Sequence, residues 1–84
     1  MITARQTRAA RALLGWTQET LAEKALVSLT ALKRLESESG LKVYETTHDQ
    51  VRRALEANGI VFLNSDQGEG VMFVRAKIDS RRSP

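Results

Sequence analysis

The chain has 84 residues, no cysteine, one proline and 42% apolar content, which holds it to one small domain with no disulfide to staple it. No uncharged run is long enough to span a bilayer, and Arg5, Arg8 and Arg11 interrupt the N-terminal segment where a signal peptide would need an apolar core, so a soluble cytoplasmic protein is expected. The formal net charge of +3 lies in the last ten residues, where Arg75, Lys77, Arg81 and Arg82 face one acid, Asp79, while the nine basic and nine acidic residues before them cancel. Charge alone is therefore a poor argument that the folded body binds nucleic acid.

In chain order, Thr3 followed by Gln6 has the form of a capping box and opens a first helix over 4–14, with Thr7, Ala10 and Leu14 on one stripe and Gly15 as its stop. Thr17 caps a second helix running to about Lys24, which turns Leu21, Ala22 and Ala25 inward. Ser28 caps a third over 29–37, burying Leu32 and Leu35 and leaving Thr30, Lys33, Arg34 and Ser37 to solvent. Turn composition follows, with Leu41, Val43 and Tyr44 expected to fold back over the core. Thr47 with Gln50 repeats the capping-box form and predicts a fourth helix from His48 to about Ala57, with Val51, Ala54 and Leu55 inward and Asn58-Gly59 ending it. The period then changes. Residues 60–63 and 71–74 are β-prone runs separated by the turn-forming stretch 64–70, which predicts a hairpin. Residues 76–84 are polar enough to be disordered.

Catalysis and metal chemistry find little material. With no cysteine and a single histidine, no metal-ligand cluster or nucleophile–base pair can be assembled, and no cofactor motif is present, so the chain is not expected to be an enzyme. His48, in the first turn of the fourth helix, reads as a solvated surface group. The informative segment is Thr17 to Glu36. Two short helices joined by about three residues, with small Ala22 at their crossing and apolar Val27, Leu32 and Leu35, have helix-turn-helix spacing. In such a unit the first helix braces the second, whose N-terminal half enters the major groove.

The run RAARALLGWTQETLAEKALVS and the LKRLE that follows resemble the phage-repressor-like (XRE, lambda repressor/Cro type) helix-turn-helix family, over about residues 2–55. The resemblance implies a mainly α fold, a four-helix lambda-repressor-like domain over 1–58, followed by a strand-forming extension over 59–75 and the basic tail 76–84. It implies a homodimeric, DNA-binding transcriptional regulator acting on an inverted-repeat operator. It places Ser28, Leu29, Thr30, Lys33 and Arg34 against base edges and flanking phosphates, Thr17, Gln18 and Lys42 against phosphates, and Arg11 and Glu36 in a structural ion pair. Trp16 is expected in the core, by its size and amphipathic character.

Two residues depart from the family pattern. Leu26 stands where glycine is usual, so either the turn is reshaped or the leucine packs inward. Leu29 stands at a position more often polar, where it meets thymine methyls or a protein partner. These two leucines motivate an alternative function, a protein-interaction module acting as an antitoxin or as antagonist of a larger regulator, with a toxin or regulator as partner. For the extension, Ile60, Phe62, Val71 and Phe73 are candidate dimerisation residues through strand pairing between subunits, against an intramolecular hairpin. The tail either follows the DNA backbone or serves only solubility.

Overall fold

Thr3 starts the first helix by the reciprocal bonds its sequence predicts. In the computed structural model, which describes residues 2–37 and 42–75, Gln6 N–H donates to Thr3 Oγ1 and Thr3 N–H to Gln6 Oε1, both at 3.1 Å. Helix α1 (Ala4–Leu14) ends at Gly15, held left-handed at φ 70°. Helix α2 (Gln18–Ala25) is capped by the Thr17 hydroxyl and α3 (Leu29–Glu36) by the Ser28 hydroxyl. All three N-caps satisfy a backbone N–H that a helix start otherwise leaves without a partner.

Leu26 keeps the backbone of the glycine it replaces. It sits at φ 59°, ψ 42°, with Leu26 N–H on the Glu23 carbonyl and Val27 N–H on the Ala22 carbonyl. That is a Schellman stop, in which two orphan carbonyls are satisfied and the apolar residue after the turn folds back on the helix. The turn is not reshaped, and the leucine does not pack inward: its side chain is 82% exposed. Two hydrogen bonds and the packing of half-buried Val27 against the core offset the left-handed strain.

The fourth helix starts earlier than its sequence signal. Helix α4 (Glu45–Ala57) has Tyr44 as N-cap with no side-chain bond, and the Tyr44 carbonyl accepts from both Thr47 and His48. Thr47 is buried and forms a stripe with Val51 and Leu55 at i, i+4 and i+8. Burying that stripe requires helical backbone at Thr47, so its hydroxyl is inside the first turn and not at its cap. The expected cover by Tyr44 is also corrected: Val43 packs against the core, but Tyr44 is 73% exposed. Leu41 and the tail 76–84 lie outside the described residues.

Strands β1 (Ile60–Ser65) and β2 (Gly68–Phe73) form an antiparallel hairpin with Ile60 opposite Phe73 and Ser65 opposite Gly68. The ladder runs past the apolar runs through Asn64 and Glu69, so the turn is only Asp66-Gln67, where Ser65 Oγ accepts from Gln67 N–H. Gly59 enters the hairpin at φ 97°, and a Cβ there would stand 3.0 Å from the Phe73 ring and 3.1 Å from the Val74 carbonyl.

The core gathers Ile2, Ala10, Leu21, Ala22, Ala25, Leu32, Leu35, Val51, Leu55 and Ile60. Ile60 is therefore a core residue of its own chain, and Phe62, Val71 and Phe73 pack against the same cluster. Gln6 fixes the hairpin to α1. Its buried amide nitrogen lies 3.0 Å from the Gly70 carbonyl, 3.2 Å from that of Leu63 and 3.3 Å from Asn64 Oδ1. At the rim, the Thr3 hydroxyl donates to Glu69 and Arg5 lies 3.5 Å from the same carboxylate.

Candidate nucleic-acid interface

Burying Leu32 and Leu35 on one stripe of α3 leaves the other face to solvent, and Ser28, Thr30, Lys33 and Arg34 are all exposed there. Ser28, Thr30 and Arg34 line one side of a concave surface whose other side is Lys42, Val43 and Tyr44. Two cationic side chains, Arg34 and Lys42, and the hydroxyls of Ser28, Thr30, Tyr44 and Thr47 thus line one hollow. Leu29 is half-buried at its N-terminal edge, and Lys33 projects from the neighbouring face of the helix.

Among the described residues, the charges at this surface are unpaired. Among the described residues, no carboxylate lies within ion-pair reach of Lys33, Arg34 or Lys42, whereas Arg52 and Arg53 on α4 are occupied by Asp49, and Arg52 also by Glu56. A cation already paired loses that pairing when it takes a phosphate; an unpaired one has only its hydration to exchange. Arg34 carries the planar fork that matches guanine O6 and N7, and Thr30 offers a hydroxyl and a methyl.

Behind α3 the fold locks the helix to α1 and α2. Glu36, buried at the end of α3, takes Arg11 Nε at 2.7 Å and Nη2 at 2.8 Å. The hydrogen bonds that Arg11 donates to Glu36 raise the guanidinium pKa above its ordinary value, against an opposing effect of burial. Arg11 also donates to the Trp16 carbonyl at 3.1 Å, and Arg8 donates to the Glu36 carbonyl. The structural ion pair expected between Arg11 and Glu36 is thus present in bidentate form, the geometry in which Arg–carboxylate pairs are strongest.

Gln18 joins the same network. Its amide nitrogen donates to Glu36 Oε1 at 3.0 Å, so its side chain is held against the protein and half-buried. The N–H groups of Gln18 and Glu19, ahead of the first intrahelical bond of α2, remain as donors at the positive end of the helix. Thr17 is exposed, its hydroxyl accepting from Thr20 N–H at 3.1 Å. Trp16 is half-buried against the core, with the Lys24 ammonium 5.9 Å from its ring centroid.

Sequence reasoning missed Tyr44. Its only signal was a tyrosine two residues beyond Lys42 and just before an acidic helix start, with no apolar partner at helical spacing to hold it inside. His48 is also not the solvated group expected. It is half-buried, Nδ1 has no partner among the described residues, and burial holds its pKa below the ordinary histidine value, with Glu45 acting in the opposite direction.

No helix among the described residues is long and apolar enough to cross a membrane. A helix-turn-helix family model matches residues 8–41, which take in most of α1 and all of α2 and α3. Comparison with curated proteins and with solved structures returns no match.

Proposed function

We propose, from the helix-turn-helix family model that matches residues 8–41 and from the resemblance to phage-repressor-like regulators, that the chain is a DNA-binding transcriptional regulator acting as a homodimer on an inverted-repeat operator, reading bases with α3. Arg34, Thr30, Ser28, Lys33 and Leu29 meet base edges. Lys42, Thr17 and the N-terminal N–H groups of α2 at Gln18 hold phosphates and set the register. The observation that carries this reading is the hollow in which Ser28, Thr30, Arg34 and Lys42 converge, with both cations free of carboxylates among the described residues. One eight-residue helix reads few base pairs, and two copies a helical turn apart multiply affinity.

The first test is a gel shift with duplexes recovered by the protein from a randomised pool, alongside DNA from just upstream of its own reading frame. Arg34→Ala should lose roughly 10- to 100-fold in specific affinity and relax the sequence preference at one position. Lys42→Ala should weaken all duplexes alike and lower the log–log salt slope by about one. No sequence preference at low salt would refute the operator reading.

Leu26, 82% exposed, keeps the protein-interaction reading in play. An antitoxin or antagonist should lose its partner with Leu29→Ala and be indifferent to Arg34→Ala.

A further inference from the structure

Tyr44 is the one exposed side chain of the α3 hollow to which the reading above gives no task. It stands beside Lys42 on the wall opposite Thr30 and Arg34, and it is 73% exposed. A loose backbone is not the cause. The preceding Val43 packs against the core, Thr47 one turn on is buried, and the Tyr44 carbonyl accepts from the N–H groups of Thr47 at 3.0 Å and His48 at 3.2 Å. The Cα is therefore held on both sides while the ring stands out in water. A ring left in water contributes little to folding. Nor does the side chain serve α4: Tyr44 is the N-cap but makes no side-chain capping bond. Among the described residues its hydroxyl has no hydrogen-bond partner, and no carboxylate lines the hollow. Glu45, the next residue, lines a different cavity with His48 and Asp49. A phenol O–H is a neutral donor, and beside two cations the acceptor that suits it is an anionic oxygen.

We propose that Tyr44 contacts DNA directly, its hydroxyl donating to a backbone phosphate on the strand that borders the groove entered by α3. The inference rests on the DNA-binding reading above and adds to it a contact that carries no charge. The wall decides between phosphate and base. Helix α3 supplies the side of the hollow that meets base edges, so the opposite side, which Tyr44 shares with Lys42, meets the flanking backbone. Tyrosine suits that place because its ring has few rotatable bonds, and holding its hydroxyl still costs less side-chain entropy than holding a lysine ammonium. With its backbone fixed by Val43 and Thr47, Tyr44 sets how far the phosphate lies from Arg34, and hence the depth at which α3 sits. A neutral donor neutralises no phosphate, so unlike Lys42 it releases no counterion.

Substitution at this exposed position tests the contact on the full chain. Tyr44→Phe removes only the hydroxyl and should melt at the wild-type temperature. It should bind duplexes of any sequence about tenfold more weakly with the log–log salt slope unchanged, whereas Lys42→Ala lowers that slope by about one. On the duplex recovered from a randomised pool, a neutral methylphosphonate placed at each linkage in turn should weaken the wild type at one linkage where Tyr44→Phe loses nothing further. Tyr44 is the single tyrosine of the chain, so in protein grown with fluorotyrosine the one fluorine resonance should shift when duplex is bound. A Tyr44→Phe protein that binds as tightly as wild type, or a fluorine resonance that ignores bound DNA, overturns the proposal. A phosphate contact is indifferent to sequence, which separates it from the operator reading. The expected loss on every duplex, with no sequence preference, leaves this contact standing and the operator reading refuted. Specific binding undiminished in Tyr44→Phe does the reverse. Failure to bind any duplex at low salt overturns both.

Discussion

Replacing Leu26 by glycine should stabilise the protein, although it removes a large apolar side chain. Leu26 is the one non-glycine residue at positive φ among the described residues, and a left-handed L-residue costs about 1–2 kcal/mol relative to its preferred backbone. Glycine removes that strain but brings a more flexible unfolded chain, which takes back about 0.5–1 kcal/mol. The side chain is 82% exposed, so its removal returns little apolar area to water. The balance is a gain of about 0.5–1 kcal/mol, or about 2–8 °C in melting temperature for a domain of this size. Both hydrogen bonds of the Schellman stop come from backbone atoms and survive the change. Thermal melts and urea titrations followed by circular dichroism would measure it, with the urea midpoint raised and the slope unchanged. Leu26→Ala is the control: it trims the side chain but keeps the Cβ and therefore the strain. A Leu26→Gly protein that melts at or below the wild-type temperature, or an alanine variant that gains as much, refutes the account.

Glu36→Ala should cost about 3–5 kcal/mol, because it leaves Arg11 without its bidentate partner beside a closed core; a urea-derived loss below about 1 kcal/mol would mean that the pair is only a surface contact. Gly59→Ala should destabilise more than Gly15→Ala. Both sit at positive φ, but only at Gly59 does the new Cβ meet backbone and ring atoms at 3.0–3.1 Å, and comparing the two melting temperatures checks it. Burial lowers the His48 pKa in the folded state, so the unfolded chain takes up a proton more readily. Stability from this group is present above the unfolded value near 6.5 and is lost as pH falls from there through the folded value. Melts between about pH 7.5 and 5 should show a smaller acid-induced drop in His48→Gln than in wild type; equal drops would clear His48.

The helical frame was legible because its signals are local. Thr3 with Gln6, Gly15, Thr17 and Ser28 each act on backbone within a few residues, and each stands where its chemistry predicts. What failed was decided at long range. Thr47 has the composition of a cap, but the stripe it shares with Val51 and Leu55 pulled it inside the helix. Asn64 and Glu69 have the composition of a turn, but strand pairing already begun at Ile60 and Phe73 carried through them. At the interface, Arg34, Thr30 and Ser28 could be placed from helix periodicity alone. Their meeting with Lys42 and Tyr44 depends on where α4 packs, and no spacing along the chain encodes that.

Gln6 gives the molecule a shared unlocking point. Its carbonyl oxygen completes the cap of α1, and its amide nitrogen reaches acceptors on both hairpin strands. Fraying of the first helical turn and lifting of the sheet are therefore one opening event. In native-state hydrogen exchange the first amides of α1 and those of β2 should share a single opening free energy and its dependence on denaturant. An N-terminal segment that would ordinarily be the first to come loose is thereby tied to both strands of the hairpin.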